Sequence, residues 1–183
     1  MDHLTDTPAE PAAPPGVPPD AREQVTALYQ AHALSLVRLA KIMLGDQSAA
    51  EDVVQDAFLG LYRKWPSLRD RDRALGYLRA SVLNASRAAH RSATRGARAL
   101  LRAPAARDVV SAEESALIGE ANREVMAALR ALPARQREAV VLRYYLDLNE
   151  EQAAQAMNVS RGTVKSATSR GRAALARMLK EDQ

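Results

Sequence analysis

Apolar residues recur at three- and four-residue steps from about Ala21 to Leu44: Val25, Leu28, Tyr29, His32, Leu36, Leu39, Ala40 and Met43. That period predicts an amphipathic helix, which Gly45 ends. Ser48 and Glu51 have capping-box spacing and open a second helix. Its buried stripe is Val53, Val54, Ala57, Phe58, Leu61, Tyr62 and Trp65, and Pro66 stops it. After a polar loop to Asp72, a third helix is predicted from about Arg73 to Ser92, with Leu75, Leu78, Val82, Ala85 and Ala89 inward. Residues 93–112 hold Gly96 and Pro104 with weak periodicity. They read as a linker in which Ala97 to Ala103 could form a helical turn. Ser111 and Glu114 repeat the capping-box spacing and open a helix to about Leu132, with Leu117, Val125, Ala128, Leu129 and Leu132 inward. Pro133 then favours a helix start, and Ala134 to Tyr145 follows. Its core is Ala139, Val140, Leu142 or Val141, and Tyr144. No alternating strand pattern occurs, so the expected fold is all-α.

The stretch from Leu146 to Leu179 reads as a short helix, a tight turn and a longer helix. Asn149 is a good N-cap with Gln152 three residues on. Asn158 tolerates the left-handed conformation that ends a helix. Val159 is an apolar pin in the turn, and Ser160 caps the second helix. Val164, Ala167, Leu175 and Leu179 mark that helix's inner face. Arg161, Thr163, Lys165, Ser166, Ser169 and Arg170 are left near its first turns or facing outward. Between Glu151 and Glu181 there is no acid. Basic and hydroxyl donors at a partly positive helix N-terminus suit phosphates and base edges. This is the form of a helix-turn-helix, whose second helix enters the major groove. A helical hairpin with a solvated basic face is the alternative.

Composition adjusts this picture. The chain has 183 residues, enough for one domain or two small ones, with 26 basic and 22 acidic residues and a net charge of +4. Only Lys41, Lys64, Lys165 and Lys180 are lysine. Arginine forks onto phosphate and guanine better than lysine does, although a GC-rich genome also favours it. From Arg73 through Arg107 there is no acid, a stripe that would attract a phosphate backbone in a salt-dependent way. By contrast Glu51, Asp52, Gln55 and Asp56 give the second helix an acidic, hydrogen-bonding face. They suit the helix dipole and would also suit a basic protein partner. Residues 1–20 are rich in proline and read as a disordered tail. There is no cysteine, and His3, His32 and His90 are scattered, so no metal or cofactor site is expected. No apolar run approaches the length of a membrane span, and a soluble, cytoplasmic protein without membrane insertion is expected. No Gly-rich phosphate loop or nucleophile and base set is seen, so no enzyme and no small-molecule substrate is expected.

In this order the pieces resemble the bacterial sigma-70 family, in its extracytoplasmic-function (ECF) type. Ala50 to Phe58 looks like the signature of region two. Tyr77-Leu78-Arg79, Asn84 and His90-Arg91 resemble its promoter-melting helix. Leu132 to Glu138 with Leu142-Arg143-Tyr144 resembles the opening of region four, and Val159 to Ser166 its recognition helix. The resemblance implies two small helical domains, region two over 21–92 and region four over 113–183, joined by a basic linker. It implies that Asp52, Gln55, Asp56 and Leu59 grip core RNA polymerase. Trp65, Tyr77, Arg79, Asn84, Arg87, His90 and Arg91 would meet the minus-ten element of promoter DNA, with Asn84 reading a flipped base. Arg161, Thr163, Lys165, Ser166, Ser169 and Arg170 would read the minus-thirty-five duplex. Such factors are often held by an anti-sigma protein. Two positions depart from the family pattern. Arg161 stands where many relatives carry an acid, and Ala167 where they often carry a base. A stand-alone helix-turn-helix regulator and a helical adaptor remain alternatives.

Overall fold

The computed structural model describes residues 19–68, 70–99 and 120–181. The proline-rich tail, the second predicted capping box and most of the predicted linker lie outside them. Among the described residues the secondary structure is helical. The elements are α1 (Pro19–Leu44), α2 (Gln47–Lys64), α3 (Ala74–Ala99), α4 (Glu120–Ala131), α5 (Ala134–Val140), α6 (Glu150–Met157) and α7 (Arg161–Glu181). Short 3-10 turns at Trp65–Ser67 and Arg71–Arg73 join α2 to α3, and a π-turn at Val141–Tyr145 extends α5.

Local chemistry sets the boundaries. Gly45 takes φ 83° after α1, a left-handed conformation that glycine adopts without a Cβ clash. Asp46, not Ser48, then caps α2, its Oδ1 accepting from the Ala49 amide at 2.7 Å. The predicted Ser48 box is therefore replaced by an earlier cap. α3 runs on to Ala99, past the predicted end at Ser92. Ala93, Ala97 and Ala99 are strong helix formers and outweigh Gly96.

α1, α2 and α3 pack around Leu36, Leu39, Val54, Leu61, Leu78, Val82 and Leu83, all at most 1 % exposed. Burying a side chain of this size stabilises by about 1.5–3 kcal/mol. Trp65 closes one end of this core at 2 % exposed. Ile42, Leu83 and Ser86 are buried although the predicted stripes omitted them, while Ala89 and Tyr29 are exposed although the stripes included them.

α4 to α7 form the second module. α7 packs on α5 and α6, with Val140, Leu142, Met157 and Val164 buried between them. In the π-turn the Leu146 amide donates to the Val141 carbonyl at 3.1 Å, closing a wider ring than an α-turn. This register shift turns Tyr144 and Tyr145 outward, 59 % and 43 % exposed, so Tyr144 is not the core residue its spacing predicted. Val125 is likewise exposed, at 39 %.

The two modules touch. α3 packs against α6, and α1 against α4 and α5. The main buried apolar cluster runs without a break from Leu36 and Leu83 in the first module to Ala153 and Met157 in the second.

Candidate nucleic-acid interface

The turn before α7 is fixed by local hydrogen bonds. Asn149 Oδ1 accepts from the Gln152 amide at 2.8 Å, and Gln152 Oε1 accepts from the Asn149 amide at 3.0 Å. α6 ends on Asn158 at φ 54°, where the Val159 amide donates back to the Ala154 carbonyl at 3.0 Å. Side-chain oxygens thus satisfy amides that a helix start leaves unpaired, and the left-handed residue lets the chain reverse at once. Ser160 Oγ accepts from the Thr163 amide at 3.2 Å and opens α7. Val159 is half-buried and packs on the core.

At 100° per residue, roughly, Arg161, Lys165, Ser166, Ser169 and Arg170 fall on one side of α7, and all five are exposed. Val164, Ala167, Gly171 and Ala174 lie opposite and are buried. Ala167 faces the core, at 4 % exposed. Thr163 stands at the edge, its hydroxyl 2.9 Å from that of Ser160. Arg170 folds back on Ser166, with Nη2 3.3 Å from Ser166 Oγ. Arg161 lies 3.9 Å and 3.8 Å from Glu150 and Glu151, but at 66 % exposed these contacts hold it weakly. Residues that spacing did not single out border this face. Arg172 stacks over Tyr144 at 5.6 Å, and both line a cleft of about 810 Å³ with Arg143, Lys165 and Ser169. The exposed tyrosines were hidden from the sequence by the π-turn.

On α3 the residues expected to meet DNA divide. Tyr77, Asn84 and Arg91 recur at heptad spacing and share one stripe, with Arg87 beside them. Arg79 sits roughly 140° around the helix from Asn84. Burial lowers the Arg79 pKa from its ordinary value, because a desolvated guanidinium loses hydration. His90 and Arg91 are exposed. Trp65 is 2 % exposed within the apolar core, with the Arg71 guanidinium 5.6 Å from its ring centre. Tyr77 is half-buried, with the Lys64 ammonium 5.0 Å from its ring centre.

Arg87 is already engaged. Its Nε and Nη2 donate to both carboxylate oxygens of Glu138 at 2.7 Å and 2.6 Å. The hydrogen bond to Glu138 raises the Arg87 pKa, more than burial lowers it. Stabilisation from a raised pKa is complete at every pH below the ordinary arginine value. Arg87 is therefore charged, and the pair gains nothing from falling pH on the arginine side.

The second exposed face is on α2. Asp52, Gln55 and Asp56 are exposed, and Leu59 is 51 % exposed. Next to them a shallow groove of about 320 Å³ is lined by Val25, Tyr29, Gln55, Phe58, Leu59 and Tyr62. Tyr29, 46 % exposed, meets Phe58 edge-on with ring centres 5.0 Å apart. An apolar floor beside carboxylates was only half legible, because Tyr29 read as a core residue. Among the described residues no helix is long and apolar enough to cross a membrane, and no group of metal-ligating side chains occurs.

An all-helical chain of two modules, the second a capped helix-turn-helix with a basic outer face, defines a DNA-binding protein. Comparison with known proteins narrows this. The family model for sigma-70 region 2 matches residues 28–96, and that for sigma-70 region 4 matches residues 122–175. The chain is 33 % identical over 148 residues to the RNA polymerase sigma-E factor of Streptomyces coelicolor, covering 80 % of this chain and 79 % of that one. It is 34 % identical over 152 residues to the ECF RNA polymerase sigma factor SigM of Mycobacterium tuberculosis, covering 83 % and 75 %. The same fold occurs in the sigma factor RpoE of Bartonella quintana, solved with the anti-sigma factor NepR. That likeness has TM-score 0.67 at 24 % identity, over 90 % of this chain and 99 % of that one. It also occurs in CnrH, solved with the cytosolic domain of CnrY, at TM-score 0.66 and 22 % identity over 89 % and 96 %. The chain belongs to the sigma-70 family of RNA polymerase sigma factors, in its ECF group. A stand-alone helix-turn-helix regulator is not favoured, because the first module matches region 2 as well.

Proposed function

We propose that the two exposed faces divide the work of a sigma factor between the modules, with region two over 21–92 and region four over 113–183. The observation that carries this is the pairing of a basic outer face on α7 with an acid-rimmed apolar groove on α1 and α2. Arg161, Lys165, Ser166, Ser169 and Arg170 read the minus-thirty-five duplex, where arginine and lysine meet guanine edges and phosphates. Thr163 holds the turn at the edge of that face. Tyr77, Asn84, Arg87 and Arg91, with His90 and Arg79 at the flanks, meet the minus-ten strand. An amide such as Asn84 offers both donor and acceptor to a flipped base, and a basic helix holds the single strand. Asp52, Gln55, Asp56 and Leu59 grip core polymerase, Leu59 and Tyr29 supplying apolar contact and the carboxylates complementing a basic partner.

The chain supplies no bond-making chemistry in this reading; the polymerase synthesises RNA. It acts in the cytoplasm beside the polymerase. An anti-sigma protein is a fitting regulator, since related folds are solved with NepR and with CnrY. The test is transcription from a pool of genomic fragments by core polymerase, with and without this chain. Discrete new transcripts are expected. Operator binding by the chain alone, with no association with core polymerase, would overturn the proposal.

A further inference from the structure

The helix assigned above to promoter melting is tied to the other module by one forked ion pair. Arg87 of α3 grips Glu138 of α5 through both carboxylate oxygens, at 2.7 Å and 2.6 Å. Its Nη2 also donates to the Met157 carbonyl at 3.3 Å, and its Nη1 to Asn84 Oδ1 at 2.9 Å. Met157 ends α6, where carbonyls lack helical donors and the helix dipole is negative. One guanidinium thus joins α3, α5 and α6. The Glu138 side chain is 3 % exposed and that of Arg87 26 %.

We propose that Arg87 and Glu138 form a latch that holds this chain in a closed form unable to engage the minus-ten element, and that the latch must break for promoter opening. The inference rests on the assignment of α3 to the promoter. Three observations support it. Arg87 already uses four of its five N–H donors on Glu138, Met157 and Asn84, so it has no free pair of donors with which to fork onto a DNA phosphate while these bonds hold. Asn84 accepts from Arg87 at 2.9 Å, so one acceptor site of the amide proposed to read a flipped base is occupied while the fork holds. Charge balance makes closure depend on one acid. The cleft between the modules, about 520 Å³, is lined by Arg87, His90 and Arg91 from α3 and by Arg135, Arg137 and Glu138 from α5. Glu138 is the one acid among its lining residues. Without that carboxylate, arginines of the two modules would face each other across a half-buried space, where like charges are poorly screened. The fork therefore acts as an all-or-none device. A closed chain with the fork broken leaves a buried charge without its partner, which costs far more than leaving it in water.

The test uses the full chain, which has no cysteine of its own, with dyes placed through Gln30→Cys in α1 and Arg177→Cys in α7. Both positions are exposed. Energy transfer is read for the otherwise unchanged chain, for Glu138→Gln and for Arg87→Gln, with circular dichroism confirming helicity. Both variants are expected to shift the dyes to longer separations. Adding core polymerase and promoter DNA to the unchanged chain is expected to do the same. Glu138→Gln keeps Arg87 for DNA, so at limiting chain it should raise promoter-dependent transcription about tenfold, in proportion to the larger competent fraction. An unchanged separation in either helical variant, or in the unchanged chain within an open promoter complex, overturns the latch. This last reading can overturn the latch even if both variants unfold. If Arg87→Gln opens the chain yet melts promoters as well as the parent does, the latch stands and the assignment of α3 falls.

Discussion

A Cβ on Gly171 would stand 2.7 Å from Val140 Cγ2 and 3.2 Å from the Gln136 carbonyl oxygen. α7 therefore crosses α5 so closely at Gly171 that a Cβ there would force the neighbouring atoms to shift. The valine can turn away, but the Gln136 backbone lies within α5 and cannot. Gly171→Ala should destabilise the second module by about 1–3 kcal/mol, the range for overpacking a tight contact. The measurement is the urea midpoint at unchanged slope. An equal or higher midpoint would mean that the helix preference of alanine outweighs the clash.

Asn149 and Gln152 cap α6 reciprocally. Asn149→Ala removes an acceptor for an amide that has no helical partner. A loss of about 0.5–2 kcal/mol is expected. Asn149→Asp restores the acceptor and should restore most of that stability, whereas a variant that merely disturbed packing would not be rescued.

These caps were legible because they are local. Asn149, Asn158 and Ser160 each act on amides or carbonyls a few residues away, and their side-chain chemistry admits few alternatives. The outer face of α7 was legible for a related reason. Its inner residues Val164 and Ala167 recur at helical steps, which leaves Arg161, Lys165 and Ser169 nowhere to go but outward. Tyr29 and Tyr144 were misplaced because an amphipathic ring fits either a core or a margin, and periodicity cannot choose. In Tyr144 the π-turn also broke the period itself. Trp65 was read both as core and as a DNA contact, and its 2 % exposure fits the first. The Arg87 and Glu138 pair joins residues 51 positions apart. No local pattern encodes that, since it depends on how two modules meet. Ser86, buried at 3 % without a hydroxyl partner, was invisible for the same reason.

Arg161 and Lys165 lie on the exposed side of α7 and contribute little to its packing. Arg161→Ala with Lys165→Ala should leave the unfolding midpoint within about 0.5 kcal/mol of the parent, as surface changes do. Binding to core polymerase should be kept, while transcription from promoters that depend on the minus-thirty-five element is lost. Arg161 also bears on base preference, because it is exposed in the first turn of the helix proposed to enter the groove. Arg161→Glu should change which upstream sequences are used in a promoter library, without changing affinity for core. A lost affinity for core would give this helix another role.

On α2, the carboxylates of Asp52 and Asp56 stand one turn apart beside Leu59, and all three are exposed. Their contributions to a partner interface differ in kind. Exposed carboxylates steer association, so Asp52→Ala with Asp56→Ala should slow binding to core polymerase, and the defect should shrink as salt rises above about 0.15 M. Leu59 lies in an apolar groove with Tyr29 and Phe58, where burial against a partner resists salt. Leu59→Ser should therefore speed dissociation equally at low and high salt. Neither change should lower thermal stability, because none of these side chains is buried in the chain itself. Association rates measured across a salt series separate the two effects. Unchanged core affinity in both variants would remove this face from the polymerase contact.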